Sequence, residues 1–238
     1  IKNATIEIVG KKIASVKPSS ASRLKSSSAG LKPGDTVVDV KGQYVMPGFI
    51  DVHTHGALGY DFCDPDPKAI FEFAKAKLEE GVTTVLPTTL TVSHKELITA
   101  AKNAKKYDEA GQPYAKVPGI HLEGPFINVK CCGAQNPKYV RNPSVKEVKD
   151  IAKVYPVKQI SYAVEAKDGA KFAKEMFKIG VVPSVGHTGA KFSDLEKAYK
   201  NGLRHMTHFC NQMTPLHHRE IGMVGAGDDP NKPLAMYW

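Results

Sequence analysis

Two histidines one residue apart, His53 and His55, close the apolar run VMPGFIDVHTHG. In an extended strand alternate side chains share a face, so both imidazoles point to the same side. Three more apolar runs end in groups of the same kind: His121-Leu122-Glu123-Gly124-Pro125, Gly186-His187-Thr188 and Thr207-His208. His53, His55, Glu123, His187 and His208 are thus five metal-competent groups at the ends of four runs. Any one of them alone reads as an ordinary satisfied polar residue; their joint placement is what points to a metal. Imidazoles with one carboxylate and no thiolate suit Zn2+, or a divalent iron or cobalt ion, in a catalytic rather than a structural site. Such a site keeps a position for water and lowers that water's pKa towards neutrality.

The elements that must carry these groups alternate along the chain. Strand-like runs cover FIDVHTH, TTVLPTT, VPGIHLEG, QISYAVEA, VVPSVGHT and LRHMTHF, six in all, with helical patterns between them. Ser93…Glu96, Ser144…Glu147 and Ser193…Glu196 match the S-x-x-E capping box, and Gly81, Gly180 and Gly202 stand where helices are expected to stop. Strands alternating with helices predict a parallel α/β sheet, either doubly wound or closed as a (β/α) barrel. No G-x-G-x-x-G or G-x-x-x-x-G-K-[ST] follows a strand, so the nucleotide-binding versions lose support. In a barrel every strand ends on the same face, where active sites are built. Residues 1–44 predict a small β element: a hairpin over ATIEIVGKKIASVKP, a Ser-rich loop or partly disordered insert, and a return to strand pattern in DTVVDVKGQYVMPG. Residues 45–238 form the expected barrel part.

Composition narrows the partners. The formal charge is +9, but the lysines are scattered over helical stretches such as AAKNAKKY rather than gathered with aromatics. That pattern argues for solvated helix faces and against nucleic acid, while a positive field still attracts a small anionic substrate. Cys63, Cys131, Cys132 and Cys210 form no CxxC pair, which fits reduced thiols and a cytoplasmic protein. No apolar run is long enough for a membrane span.

The stretch PGFIDVHTHG resembles the first-strand signature of the amidohydrolase superfamily. GIHLEGPFIN, GHTGA and HMTHFCNQMTPLHHRE, in that order and spacing, are similar to the N-acetylglucosamine-6-phosphate deacetylase family within it, over about Gly42 to Gly225. The resemblance implies a TIM-like metal-dependent hydrolase barrel with a small N-terminal β domain, and release of acetate from the N-acetyl group of a sugar phosphate. It implies Glu123, His187 and His208 as ligands of a main divalent metal, Zn2+ or Fe2+, and His53 and His55 as a second metal position, so one or two ions. Asn211 and Gln212 match the segment whose backbone N–H groups meet the phosphate. Arg219 matches the phosphate arginine, whose guanidinium fork suits phosphate oxygens. A homodimer is implied for the full-length protein.

The chain departs from that pattern in several places. Gln135 stands where the family has a histidine of the substrate pocket; an amide can donate to a sugar hydroxyl but carries no charge. Cys131 and Cys132 replace common basic residues, and Val164 replaces a frequent proline. Glu165 reads as a buried, hydrogen-bonded strand-end carboxylate rather than a general base, and His217 and His218 as loop residues around Arg219. The family's seventh-strand histidine and eighth-strand general-base aspartate have no counterpart here; Asp228 and Asp229 lie in a polar run and are not accepted as substitutes. No catalytic base is therefore assigned, and the barrel is expected to be incomplete, with about six strands and a truncated C-terminus. Two alternatives stay open: a metal- and sugar-phosphate-binding fragment without turnover, and an amidohydrolase acting on another N-acyl or cyclic amide.

Overall fold

The computed structural model describes residues 1, 4–18, 33–227 and 234–236. The chain divides into two compact units, Ile1–Pro47 and Gly48–Trp238. In the first, β1 (Ala4–Val9) and β2 (Lys12–Pro18) pair antiparallel, turning at Gly10, whose φ of +61° a side chain would resist. Two strands cannot cover an apolar face, and Ile8, Val9 and Ile13 remain exposed. The strand expected over residues 35–48 does not form. A turn closes there, with Gln43 N–H donating to Val40 O at 2.9 Å and left-handed backbone at Lys41 and Gly42, which splits the alternating run. The Ser-rich insert, from residue 19 to residue 32, lies outside the described residues.

The second unit holds a seven-stranded sheet in which every neighbouring pair is parallel. Its strands are β3 (Phe49–Thr54), β6 (Val82–Thr89), β7 (Ile120–Glu123), β8 (Val157–Tyr162), β9 (Val182–Val185), β10 (His205–Met206) and β11 (Ala235–Met236). A two-residue hairpin, β4 (Gly56–Ala57) and β5 (Tyr60–Asp61), follows β3. The spatial order is the chain order. A doubly wound sheet reverses its order part-way; a barrel wall does not, so the barrel alternative is the one realised. β11 is the strand beyond the expected six; two residues are too few for a periodic signal.

Helices α1 (Lys68–Glu79), α2 (His94–Glu109), α3 (Val145–Ala152), α4 (Gly169–Lys178), α5 (Phe192–Lys200) and α6 (Gly222–Gly227) connect or follow the strands. Gly81, Gly180 and Gly202 stop α1, α4 and α5 with positive φ. Ser93 caps α2 with the full reciprocal box, while Ser144 caps α3 but its Glu147 turns to Arg141 instead. The box expected at Ser193 is not used. The N-cap is Lys191, two residues earlier, and Asp194 takes the Lys191 N–H at 3.2 Å.

The sheet has two unlike buried faces. Ile120, Leu122, Ile160, Tyr162 and Val185 belong to one apolar core with helix residues such as Leu97, Ala101, Ile151, Phe172 and Leu195. The alternate positions, His121, Glu123, Ser161 and Ser184, are equally buried and polar. Only the first face has helices to pack on; the second turns inward and carries the site. The capping box gives a direct check on the helix layer. Ser93→Ala should cost about 1 kcal/mol in chemical denaturation; an unchanged midpoint would mean that packing alone holds the start of α2.

Candidate metal centre

Strand β3 reaches its histidines through an irregularity. Between Asp51 and Thr54 it carries one residue more than the paired stretch of β6, a bulge that re-aims side chains. Asp51 holds it: Oδ1 accepts the His53 N–H at 3.0 Å, Oδ2 accepts the Thr54 hydroxyl, and Lys77 Nζ lies 3.6 Å away. His187 and His208 follow β9 and β10 with left-handed backbone, φ +48° and +32°, which non-glycine residues adopt only where the surroundings impose it. For His187 those surroundings are Asn128, whose N–H donates to the His187 carbonyl at 2.9 Å, and Glu165. The Glu165 carboxylate accepts from Asn128 Nδ2 (2.8 Å), Thr188 Oγ1 (2.5 Å) and Gly189 N (2.6 Å). Glu165 is thus a structural acceptor for the loop behind His187.

The five groups read from the sequence converge. Glu123 Oε1 lies 2.9 Å from His208 Nε2, 3.2 Å from His187 Nε2 and 3.5 Å from His53 Nε2; Oε2 lies 3.1 Å from His55 Nε2. His187 Nε2 and His208 Nε2 are 3.1 Å apart. Their donor atoms make two overlapping sets, His53–His55–Glu123 and Glu123–His187–His208, sharing the carboxylate.

The outer nitrogens decide what these sets can hold. His55 Nδ1 faces Thr88 O at 3.1 Å, His187 Nδ1 faces Cys131 O at 2.8 Å, and His208 Nδ1 faces Asn211 O at 3.2 Å. A carbonyl only accepts, so in each neutral ring Nδ1 carries the proton and Nε2 presents a lone pair to the cluster. Lone pairs at 3.1 Å, gathered round a carboxylate, repel unless a cation lies among them. The donor set therefore fits a divalent metal ion, and the carbonyl-bound Nδ1 atoms are the outer partners such ligands use.

Burial and charge pull against each other here. With the rings protonated at Nε2 instead, burial still opposes ionisation of Glu123, yet the hydrogen bonds from His187, His208 and His55 hold its pKa well below the usual carboxylate value. Burial likewise opposes charge on His55 and His208, but the Glu123 hydrogen bond and charge outweigh it and raise both. His53 falls to about 4, because its burial exceeds the help from Glu123. Buried His121 falls to about 3.

The remaining candidates are placed less uniformly. Gln135 is buried against the cluster: Nε2 donates to Glu123 Oε2 at 2.5 Å, and Oε1 accepts the Thr91 N–H at 2.6 Å. Its first task is to hold the carboxylate. The Asn211 N–H donates back to His208 O at 2.9 Å, so that amide is occupied rather than offered outward, while the Gln212 carbonyl accepts the Thr188 N–H at 3.0 Å. Arg219 is exposed in a turn beside the adjacent, mutually tilted His217 and His218 rings, and no contact among the described residues joins it to the five-group cluster. Asp228 and Asp229 lie outside the described residues. The sequence reading missed Asp51 and His121. Both signals were present, since Asp51 stands two residues before His53 and His121 two before Glu123.

A family model for the amidohydrolase family matches residues 44–226. The chain belongs to the amidohydrolase family. It is 36% identical over 198 residues to an N-acetylglucosamine-6-phosphate deacetylase of Danio rerio, covering 80% of this chain and 49% of that protein. It is 34% identical over 232 residues to the enzyme of the same name from Bacillus subtilis, covering 94% of this chain and 56% of the relative. The crystal structure of N-acetylglucosamine-6-phosphate deacetylase from Pasteurella multocida superposes with a TM-score of 0.83 at 26% identity, over 98% of this chain and 59% of that one. This amidohydrolase chain spans about half the length of the curated relatives it matches. The family is metal-dependent, in keeping with the donor set.

Glu123 is the atom source shared by both donor sets, so its charge is the sharpest test. Glu123→Gln should weaken Zn2+ binding by more than roughly 100-fold in a chelator-competition titration, a larger loss than outer partners produce. Unchanged affinity would reduce the cluster to a hydrogen-bond network.

Proposed function

We propose that this protein is a metal-dependent deacetylase that hydrolyses N-acetyl-D-glucosamine 6-phosphate to D-glucosamine 6-phosphate and acetate. The observation that carries it is the convergence of Nε2 lone pairs from His55, His187 and His208 on buried Glu123. The names of the relatives supply the substrate class. His187, His208 and Glu123 would hold the main ion, and His53 and His55 with the same carboxylate a second; Zn2+ or Fe2+ matches these donors. A divalent ion there supplies Lewis-acid polarisation of a carbonyl and an activated water.

The chain's own residues have separate tasks. Gln135 keeps Glu123 Oε2 in register, and the carbonyls of Thr88, Cys131 and Asn211 keep the three imidazoles in the ligating tautomer. Arg219, exposed and free to extend, would pair with the 6-phosphate through its guanidinium fork, with Gln212 on the neighbouring loop. The net charge of +9 favours approach of that anion. The proton needed by the leaving amine is assigned to no described residue, because Glu165 is committed to Asn128, Thr188 and Gly189. That commitment favours a second reading, binding of metal and sugar phosphate without turnover. A cytoplasmic location and a homodimer of the full-length protein belong to the same proposal; no helix among the described residues is long and apolar enough to cross a membrane.

Acetate release by the purified 238-residue chain under saturating Zn2+ or Fe2+, set beside calorimetric binding of the sugar phosphate, separates the two readings. Metal-dependent acetate release supports the deacetylase; binding without acetate supports the second reading; neither would overturn both. Arg219→Ala should weaken binding of the phosphorylated sugar by roughly 10-fold or more, the worth of a charge-assisted pair of about 1.5–3 kcal/mol. It should leave Zn2+ affinity as it was.

A further inference from the structure

We propose that His121, outside the five-group cluster, is a positioning residue that locks the segments bearing His53, Glu123 and His208 together through one directional hydrogen-bond chain. The inference rests on the metal-centre reading and assigns a task to buried polar groups which that reading leaves unused.

The chain starts at the Val52 carbonyl, which only accepts. His121 Nδ1 lies 2.9 Å from it and therefore carries the ring proton. His121 Nε2 is then an acceptor, and Ser161 Oγ, 2.7 Å away, must donate to it. That spends the single hydroxyl proton of Ser161, so Thr207 Oγ1, at 2.5 Å, donates to Ser161. Thr207 has then spent its own proton, and Ser184 Oγ, at 2.7 Å, donates to Thr207. One tautomer of one histidine sets the direction of all four bonds. His121, Ser161, Ser184 and Thr207 are each fully buried, where a donor left without its acceptor is costly.

The ends of this chain are what give it a function. Val52 immediately precedes His53, Thr207 immediately precedes His208, and His121 stands two residues before Glu123 on the same strand face. The His121 ring also meets the His53 ring edge-on, with centroids 5.1 Å apart. β8 and β9 contribute Ser161 and Ser184 to the chain but supply no cluster donor from within their own spans. The polar layer beneath the cluster thus ties the backbone next to one donor pair, at His53, to the backbone next to the other, at His208. Loss of His121 removes the terminal acceptor of three hydroxyls and one donor of the Val52 carbonyl. The strands then lose their mutual register at the site, not only packing energy.

The test uses the 238-residue chain and Co2+, whose affinity and visible absorption report the ligand geometry. His121→Leu should weaken Co2+ binding by roughly 10- to 100-fold, the range for outer partners of metal ligands, and change the absorption bands. His121→Gln, whose amide can donate to Val52 and accept from Ser161, should restore affinity and spectrum towards wild type. Ser161→Ala breaks the same chain at another link and decides the matter if His121→Leu does not fold. The double variant should lose little more than either single one. Leu97→Ala, in the helix layer, should lower thermal stability and leave the Co2+ spectrum alone. Wild-type affinity and spectrum in Ser161→Ala, or a His121→Gln no better than His121→Leu, would overturn the proposal while the metal site stands. Failure of the unaltered chain to bind Co2+ would overturn both.

Discussion

A buried carboxylate faced by four imidazoles is an arrangement a protein cannot hold casually. Glu123 has almost no exposure, and its two oxygens lie within 3.5 Å of Nε2 atoms from His53, His55, His187 and His208. Each neutral imidazole that turns a lone pair inward adds repulsion, and each that takes a proton adds a buried charge. A cation among the lone pairs removes that repulsion without adding uncompensated charge, so the donor chemistry suits a metal ion. Much of the surrounding structure serves to keep those lone pairs pointing inward when thermal motion and repulsion would turn them away.

The means are local and differ for each donor. Backbone carbonyls fix the tautomers of His55, His187 and His208. The amide of Gln135, itself anchored by Thr91, fixes Glu123. Asp51 stabilises the bulge that delivers His53, and Glu165 ties down the loop after His187, whose backbone is left-handed. Gln212 packs close to two other segments: its side chain leaves little room for a Cβ at Gly133, and its carbonyl accepts the Thr188 N–H.

The sheet makes this affordable by having two faces with different solvents. Its helix-facing side is an ordinary apolar core around Leu122, Ile160 and Phe172. Its other side buries His121, Ser161, Ser184 and Thr207, a layer that remains favourable because its hydroxyls and ring are hydrogen-bonded to one another. A parallel sheet puts every strand end at the same level, and alternation then puts every second side chain on that inner face. The metal donors are the topmost members of a polar layer that continues below them.

The sequence by itself determined the parts governed by short spacing. The period of two in FIDVHTH placed His53 with His55, and the spacing of Ser93 and Glu96 marked a helix start. The alternation of strands and helices determined a parallel α/β sheet. Tertiary structure decided what depends on contacts between distant segments. It chose the singly wound order, added β11 through pairing with β10, and broke the expected strand over residues 35–48 with a turn. It also turned Gln135 towards Glu123 and committed the Asn211 amide to His208. Sequence spacing reports which side chains share a face. It cannot report which carbonyl, 33 residues away in the case of His55 and Thr88, will take the proton of a ring nitrogen. That choice is made only when the strands lie side by side, because a hydrogen bond depends on distance and direction, and neither exists along the chain alone.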